Sequence, residues 1–567
     1  MCSPYAASPR LVRILFLAFG ISVMVCVRLP GQIWMGGTDG NWTTAANWNP
    51  ATVPNTSAAT AEFGASGHDS ISETAQLDVG TLQFDAGADA YTITITANAT
   101  YPGLTIGGAG IINNSSHAQQ FDVSGTLLFE GTASGNNSNI TVSGAGTLSF
   151  TDSSSLGNST INSPGISLAD MANAANATIN LNGGTSFFED MANAANATIN
   201  LSGGTGFFED NFEVGYANIT IENGDNAYFE STASAGNATI TIDNGSSVNF
   251  DRGQGIGNST VIANSGGTID LTAGVSVVNA RIVLNSGSTL YAAGPMPYIS
   301  IEIGSLEGAG NITTGVNELL VGSRNTNTTF SGVISSGYIS GPFFGSGVIV
   351  DKVGAGSLTL TGQNNFYGNT TVSSGALIVN GAIMENIFTF AGTTLGGLLT
   401  VDGGATLGGN GTIGDSVLLN SGALLAPGNG IGSLSVGNLA WSGSTDGSAT
   451  AQFTLSDTGN TSSEVVVISS FTDNGAATYK FDFGNTGFAD LSGDANIYTL
   501  ITFASTDFTQ SDFSYVNLDH PLRGTFILNS NSLQFEVVVP EPAIGGLALG
   551  SVALLLGLRR RRKSASR

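Results

Sequence analysis

The sequence of 567 residues contains only two cysteines, Cys2 and Cys26, and both fall within its first thirty residues. If that segment is a cleaved leader, the remaining chain has no thiol, which excludes disulfides and thiolate metal sites. The three histidines, His68, His117 and His520, lack any metal-binding spacing. The sequence therefore disfavours a zinc site.

Basic residues are also scarce. Lysine and arginine together number 15, against 41 aspartates and glutamates, and the formal net charge is −26. Because phosphate recognition requires a basic surface, this composition excludes nucleic acid as a natural partner. Although charged residues make up only 10%, hydrophobic residues make up 41%. That hydrophobic content argues against a disordered chain.

The N-terminal segment, residues 1–32, has the pattern of a secretory signal peptide. Arg10 and Arg13 form a basic start, and the apolar stretch from Ile14 to Val27 follows. This order is typical of a segment that directs export and is then removed. We therefore predict that the chain enters the secretion machinery.

The C-terminal segment, residues 539–567, has three parts in a fixed order. The motif Pro540-Glu541-Pro542 precedes an apolar run of 16 residues, and a basic cluster begins at Arg559. Such a run is near the length of about 20 residues needed to cross a bilayer, and flanking arginines can extend it. The basic cluster is expected to stay cytoplasmic.

This three-part order resembles the PEP-CTERM sorting domain of Gram-negative surface proteins. The resemblance implies recognition of Pro540, Glu541 and Pro542 by an exosortase-type processing enzyme. It also implies transient or stable anchoring in the inner membrane, followed by residence at the cell surface or in an extracellular matrix, with exopolysaccharide as a partner.

Residues 139–340 contain an internal repeat of about 20 residues. Its anchor is Asn-x-Thr followed by Ile or Val, found at Asn139, Asn158, Asn176, Asn196, Asn218, Asn237 and Asn258. A short alternating stretch and a glycine turn come next, and then a large apolar residue: Phe150, Leu168, Phe188, Phe208, Phe229, Phe250, Leu271 or Leu290. Alternation of period two between such turns predicts β-strands.

A period of this length with several short strands predicts an all-β fold, a parallel, right-handed β-helix in which each repeat forms one turn. Equivalent phenylalanines are expected to stack inside, and equivalent asparagines to form ladders at the turns. A β-sandwich or a propeller is the alternative, but their units are larger and less regular. Residues 33–138 are predicted to form an N-terminal cap and the first turns of the helix.

Residues 341–440 resemble the autotransporter-associated β-strand repeat. The stretches Val353–Leu360, Thr361–Gly368 and Thr370–Leu377 carry the resemblance. A true autotransporter ends in a membrane β-barrel. Here residues 441–538 predict instead a β-rich C-terminal region that leads into the membrane segment, so self-transport is not expected.

Motifs for catalysis are nearly absent. No GxSxG motif occurs, and the GxGxxG match at Gly409–Gly414 precedes a strand-like stretch rather than the helix of a dinucleotide site. The dispersed basic residues disfavour a polysaccharide lyase, whereas a hydrolase needs only paired carboxylates. We therefore predict no enzymatic activity and no cofactor, and keep a β-helix polysaccharide-degrading enzyme as an alternative.

One set of acidic residues recurs with the repeat: Glu189, Glu209, Glu230 and Asp251. Each directly follows the large apolar residue, so the four are expected in register on the outer face. Oxygen ligands of this kind suit calcium. A solvated acidic face without a fixed ion is the competing interpretation. The predicted function is an exported, non-enzymatic surface or matrix protein, with an adhesin as a further alternative.

Overall fold

The computed structural model describes residues 31–538, apart from gaps at 38, 97–102, 252–254, 273–274, 294–299, 316–317, 337–348, 367, 385–387, 391–392, 396, 429, 449, 457–459, 476–477, 485–495 and 521. Nearly all of the predicted signal peptide and the whole predicted sorting signal therefore lie outside the described residues. The described part forms two compact units, one ending at Gly368 and the other beginning at Asn369. Within it, no helix is long and apolar enough to cross a membrane.

The first unit is a parallel β-solenoid, as the repeat predicts. Each turn of the solenoid, called a rung below, contributes one strand to each of two sheets. The first sheet has 16 strands, which pair in parallel except for the two at its N-terminal edge. Its strands are Gln32–Trp34, Trp48–Asn49, Thr56–Phe63, Leu77–Phe84, Gly103–Asn113, Thr126–Phe129, Thr147–Phe150, Ser167–Leu168, Thr185–Phe188, Thr205–Phe208, Asn226–Phe229, Ser247–Phe250, Thr268–Thr272, Thr289–Ala293, Asn311–Thr314 and Val333–Ser336.

The second sheet of this unit lies on the other side of each glycine- or asparagine-containing turn. Its strands are Ser70–Glu73, Thr92–Ile95, Gln120–Val123, Asn139–Val142, Thr160–Ser163, Thr178–Leu181, Thr198–Leu201, Asn218–Ile221, Thr239–Ile242, Thr260–Ala263, Val277–Leu284, Ser300–Gly308, Glu318–Val321, Thr328–Phe330, Ile349–Lys352 and Ser357–Leu360. A short strand, Gln363–Asn364, and a 3-10 helix, Ala45–Asn47, complete the unit. Between residues 134 and 234, isolated parallel bridges form a third face.

The core consists of identical side chains stacked along the solenoid axis. Phe208 is fully buried and lies between Phe188 and Phe229, with ring centroids 4.7 and 4.6 Å away. The same column continues to Phe250 at 4.8 Å. These spacings match the separation of about 4.8 Å between paired strands. The prediction that the phenylalanines stack inside is therefore confirmed.

Asparagine ladders also form, as predicted. The side-chain nitrogen of Asn176 donates to the side-chain oxygen of Asn158 at 3.1 Å, and Asn196 donates to Asn176 at 3.4 Å. A second ladder lies on the adjoining strand, where Asn200 donates to Asn180 at 2.8 Å. An amide carries both a donor and an acceptor, so a column of amides can satisfy itself from rung to rung.

Three assignments within the repeat were wrong by two residues. Asn139 pairs with Thr160, and Asn218 with Thr198, so both asparagines lie on strands rather than at the turn of the ladder. Leu290 pairs with Ile269, and the neighbour of Leu271 is a small alanine. Inward positions alternate along a strand, so a shift of two preserves the pattern and cannot be detected from burial alone.

The N-terminal end of the first unit is closed by aromatic side chains. Trp34, Trp42 and Trp48 are 2%, 0% and 2% exposed. Trp48 packs edge-on against Trp34 at 5.1 Å and contacts Phe63 at 5.9 Å. Their buried rings therefore cover the first rungs, which agrees with the cap predicted within residues 33–138.

The second unit is also built from parallel turns, with up to three strands in each. Its strands are Thr370–Val372, Ala376–Val379, Ala382–Ile383, Phe388–Phe390, Thr393–Leu395, Leu398–Val401, Thr406–Gly409, Thr412–Ile413, Ser416–Leu419, Leu424–Pro427, Ser433–Val436, Leu439–Trp441, Ala451–Gln452, Glu464–Val467, Ser470–Asp473, Tyr479–Asp482, Asn496–Thr502, Ser505–Thr506, Phe513–Val516, Arg523–Leu528 and Ser532–Val538, with a 3-10 helix at Gln510–Asp512. Parallel pairing continues as far as Val516. The last two strands are antiparallel and cover the edge at Asn496–Thr502. The region predicted only as β-rich thus continues the parallel turns.

We expect Phe208→Ala to destabilise the first unit by about 3–5 kcal/mol, because it leaves a cavity in the middle of a ring stack. The measurement is chemical denaturation followed by far-ultraviolet circular dichroism. The matched control is Phe207→Ala, which removes the same ring from the outer face one residue away. An equal loss of stability in the two variants would contradict the inward position of Phe208.

Candidate functional site

The outer corner after the first sheet carries the acidic residues singled out from the sequence. We call Glu189, Glu209, Glu230 and Asp251 the carboxylate column. The amide of Glu209 donates to the carbonyl of the residue before Glu189 at 2.8 Å, and the corresponding bonds at Glu230 and Asp251 measure 2.9 Å. The four residues thus occupy equivalent positions in successive rungs, where each side chain is partly exposed.

A second set of acidic residues, missed in the sequence, lines the same corner. Asp152, Asp170, Asp190 and Asp210, the aspartate column, have left-handed backbone with φ between 53° and 61°. Oδ2 of Asp170 accepts the amide of Asp152 at 3.0 Å, and Oδ2 of Asp190 accepts the amide of Asp170 at 3.1 Å. Aspartate tolerates this conformation better than most residues. The spacing of the four along the sequence was a visible signal for this column.

The two columns repel each other electrostatically. Partial burial, followed by the charges of Asp190 and Glu209, raises the pKa of Glu189 above its ordinary value. Partial burial, followed by the charges of Glu230 and Asp210, likewise raises the pKa of Glu209. No lysine or arginine occurs between residues 29 and 251, whereas that stretch contains 21 aspartates and glutamates. The rungs that carry Glu189, Glu209 and Glu230 therefore contain no basic residue, whereas Arg252, which follows Asp251, lies outside the described residues.

A column of outward-facing rings, one exposed and two half-buried, runs beside the carboxylates. Phe187, Phe207 and Tyr228, the aromatic column, are in register on the outer face of the first sheet. Their ring centroids are 5.7 and 5.2 Å apart, and the ring planes differ by 14° and 15°. Phe187 is 41% exposed. Sequence reasoning missed this column, because it considered only the inward phenylalanine of each Phe-Phe pair.

Exposed methionines lie on the other side of the carboxylates. Met171 is 55% exposed and Met191 is 62% exposed. Each directly follows a residue of the aspartate column, Asp170 or Asp190. Glu189 and Asp190 therefore lie between Phe187 and Met191, whereas polar residues, Asn211 and Thr232, follow at the methionine position in the next two rungs.

The residues of the carboxylate column do not form a compact ligand shell. Among the described residues, no group of three or more His, Cys, Asp or Glu side chains is arranged to hold a metal ion. Successive members are one rung apart along a line rather than arranged around a point. Calcium binding at Glu189, Glu209, Glu230 and Asp251 stays a prediction.

Two carboxyl groups, Asp251 and Asp270, lie on successive rungs of the first sheet and interact electrostatically. Asp270 lies on the outer face of the first sheet, and its neighbours in register are Asn249 and Tyr291. Burial, followed by the charge of Asp251, raises its pKa. Two neighbouring carboxyl groups are the arrangement used by glycoside hydrolases.

The most strongly perturbed carboxyl is Glu73, at an inward position near the N-terminal cap. Its side chain is 0% exposed, and its neighbour in the next rung is Ile95. Oε1 accepts the amide of Ala75, and Oε2 has no hydrogen-bond partner. Burial raises the pKa of Glu73 to about 7.

Comparison with known proteins adds no family to this geometry. No protein-family model matches the chain. No curated protein sequence matches it either. The resemblances to PEP-CTERM proteins and to autotransporter-associated repeats stay predictions.

We expect Glu209→Gln combined with Glu230→Gln to stabilise the first unit by about 0.5 kcal/mol at pH 7 and low salt, because it removes like-charge repulsion from a partly exposed column. The gain should vanish at high sodium chloride, since salt screens such charges. Thermal melts measure both effects, with Glu222→Gln as the control for an outer carboxyl elsewhere.

The same melts test calcium binding. A bound ion would stabilise the wild type more than sodium chloride does at equal ionic strength, and the excess would be lost in the double variant. Equal effects of the two salts would contradict the calcium prediction.

We expect the stability of the first unit to fall as the pH rises from about 4.5 to about 7, in part because of Glu73. The folded state keeps the proton of Glu73 longer than the unfolded state does, so deprotonation favours unfolding. The contribution is at most about 3 kcal/mol. Denaturation of Glu73→Gln should show a weaker pH dependence than the wild type. The matched control, Glu62→Gln in the same cap, should retain the wild-type dependence, and an unchanged profile in Glu73→Gln would refute this assignment.

Proposed function

We propose that this protein is an exported, non-enzymatic β-solenoid of the bacterial cell surface or extracellular matrix. The observation that carries the proposal is the C-terminal order of Pro540-Glu541-Pro542, an apolar run and a basic cluster. In this proposal the apolar run crosses the inner membrane as a helix. An exosortase-type enzyme then reads the motif and releases or transfers the solenoid.

The solenoid supports a structural role. Its interior consists of stacked apolar side chains, and ladders of asparagine side chains connect several of its rungs. Such a fold presents the same side chains at regular intervals, which suits an extended partner better than a single small molecule. Exopolysaccharide, the partner implied by the PEP-CTERM resemblance, is an extended polymer of this kind.

A polysaccharide-degrading enzyme is the second candidate, because Asp270 has a raised pKa beside Asp251. In this alternative Asp270 is the general acid and Asp251 the base. The alternative requires turnover of a glycan that is lost in Asp270→Asn. No residue among those described points specifically to an adhesin. That alternative is distinguished from an enzyme by attachment of cells rather than by turnover of a glycan.

We expect Glu541→Ala to abolish processing, so that the full-length chain accumulates in the inner-membrane fraction. The wild type should instead appear at the surface or in the medium without its C-terminal segment. Fractionation with antibodies against the body and the tail measures the difference.

The control for this experiment is Glu222→Ala, which removes an acidic residue from the solenoid and leaves the motif intact. It should be distributed as the wild type is. Identical distribution of Glu541→Ala and wild type, with the tail retained in both, would refute the sorting function.

A further inference from the structure

The outer corner of the first unit between residues 185 and 230 combines three chemistries that repeat on every rung. The aromatic column lies in the middle. The residue two positions after each ring is a glutamate, and these glutamates lie on one side of the rings: Glu189, Glu209 and Glu230. On the other side, two residues earlier, stand the polar side chains Thr185, Thr205 and Asn226. The period of two places all three columns on the outer face.

The rings are not needed for the core. The inward neighbours of Phe187 and Phe207, namely Phe188 and Phe208, already fill the interior and are 0% exposed. At the N-terminal end of the column, the residue in register with Phe187 is Ser167, a small side chain that leaves that face of the ring without an aromatic neighbour. Exposed Phe187, the half-buried rings of Phe207 and Tyr228, and exposed Met191 form an apolar surface that packing of the chain itself does not explain.

Electrostatics decides which kind of partner fits this surface. Burial, followed by repulsion from neighbouring carboxylates, raises the pKa of Glu189 and of Glu209, and a positively charged occupant would relieve the repulsion. The flanking apolar side chains lower the local dielectric constant, which strengthens pairing between the carboxylates and a cation. A second copy of this chain is disfavoured, because face-to-face contact would bring two carboxylate columns together.

The repeat distance decides between an extended peptide and a glycan. Successive rungs are about 4.8 Å apart, whereas side chains on one face of an extended peptide recur about every 6.6 Å. Over three rungs the peptide falls out of register by most of a rung. An extended chain of β-1,4-linked pyranoses advances by close to one rung per sugar. Alternate sugars are turned over, so the amino groups on one edge recur about every two rungs and stay in step with the strands. The chain also carries hydroxyl groups for the polar column. A helical basic peptide, with a pitch of about 5.4 Å, is the remaining competitor.

We propose that the corner formed by Phe187, Phe207, Tyr228, Glu189, Glu209 and Glu230 binds a cationic amino-sugar polymer, one sugar to each rung. The ammonium groups of alternate sugars pair with carboxylates two rungs apart, such as Glu189 and Glu230. The sugar rings lie against the aromatic column and its flanks, and hydroxyl groups face the polar column. The proposal rests on the proposed function, because it identifies the exopolysaccharide partner by its chemistry.

The test is a titration of the full-length chain with the hexamer of β-1,4-linked glucosamine, at physiological salt and a pH where the amines are charged. Calorimetry gives the affinity. The fully N-acetylated hexamer has the same backbone without charge, and should bind at least about tenfold more weakly. Hexalysine supplies charge without sugar and should also bind at least about tenfold more weakly.

Two variants locate the site on the molecule. The ring variant is Phe187→Ser with Phe207→Ser and Tyr228→Ser. The charge variant is Glu189→Gln with Glu209→Gln and Glu230→Gln. Each should weaken binding of the glucosamine hexamer at least about tenfold, and circular dichroism should show that the fold is retained. The control variants Tyr216→Ser and Glu222→Gln, an exposed ring and an outer carboxyl outside the corner, should bind as the wild type does.

Three results would overturn the proposal: equal affinity for the acetylated hexamer, hexalysine binding as tightly as the glucosamine hexamer, or wild-type affinity in the ring variant. The second would assign the corner to a basic peptide or to non-specific charge.

The outcome of the binding test is separable from that of the proposed function. Sorting through Glu541 is followed by fractionation and does not depend on glycan affinity, so either result can fail while the other holds.

Discussion

Parallel, in-register stacking at one strand spacing is the constraint on which the structure of the first unit depends. It places each side chain directly over its equivalent in the next rung, so every outward or inward position becomes a column of similar groups. For apolar rings the arrangement is favourable, as between Phe208 and Phe229 at 4.6 Å. For amides the arrangement lets each side chain donate a hydrogen bond to its equivalent in the neighbouring rung, as Asn200 does to Asn180 at 2.8 Å. The sequence duplication around these residues is the direct consequence.

The same constraint works against carboxylates. A column of acids one rung apart gains nothing from stacking, because burial and then the charges of neighbouring acids raise the pKa of Glu189 and of Glu209. In the aspartate column, Asp170 and Asp190 reduce this cost by accepting backbone amides of the preceding rung. Such bonds explain why aspartate recurs at a left-handed turn position. The glutamates have no equivalent bond of this kind among those described, which makes them available to a partner.

Part of this could be read from the sequence. The twenty-residue period and the alternation within it predicted parallel turns, an aromatic core and asparagine ladders, because these features depend on local pattern alone. Register could not be read to better than two residues. Asn139 and Leu290 show why, since a strand shifted by two keeps the same faces inward. Pairing between strands, which settles the register, is a property of neighbouring rungs.

The candidate site shows the same division. The sequence by itself determined that the carboxylate column exists, because its members follow the repeat, and that no basic residue lies between positions 29 and 251. Only the tertiary structure decided which columns are neighbours. Phe187 and Glu189 are close along the chain, but the contact between Phe187 and Phe207, 5.7 Å apart, joins residues twenty positions apart. That contact exists because each turn of the solenoid brings the chain back beside the preceding rung. Residues about twenty positions apart in the sequence thereby become neighbours.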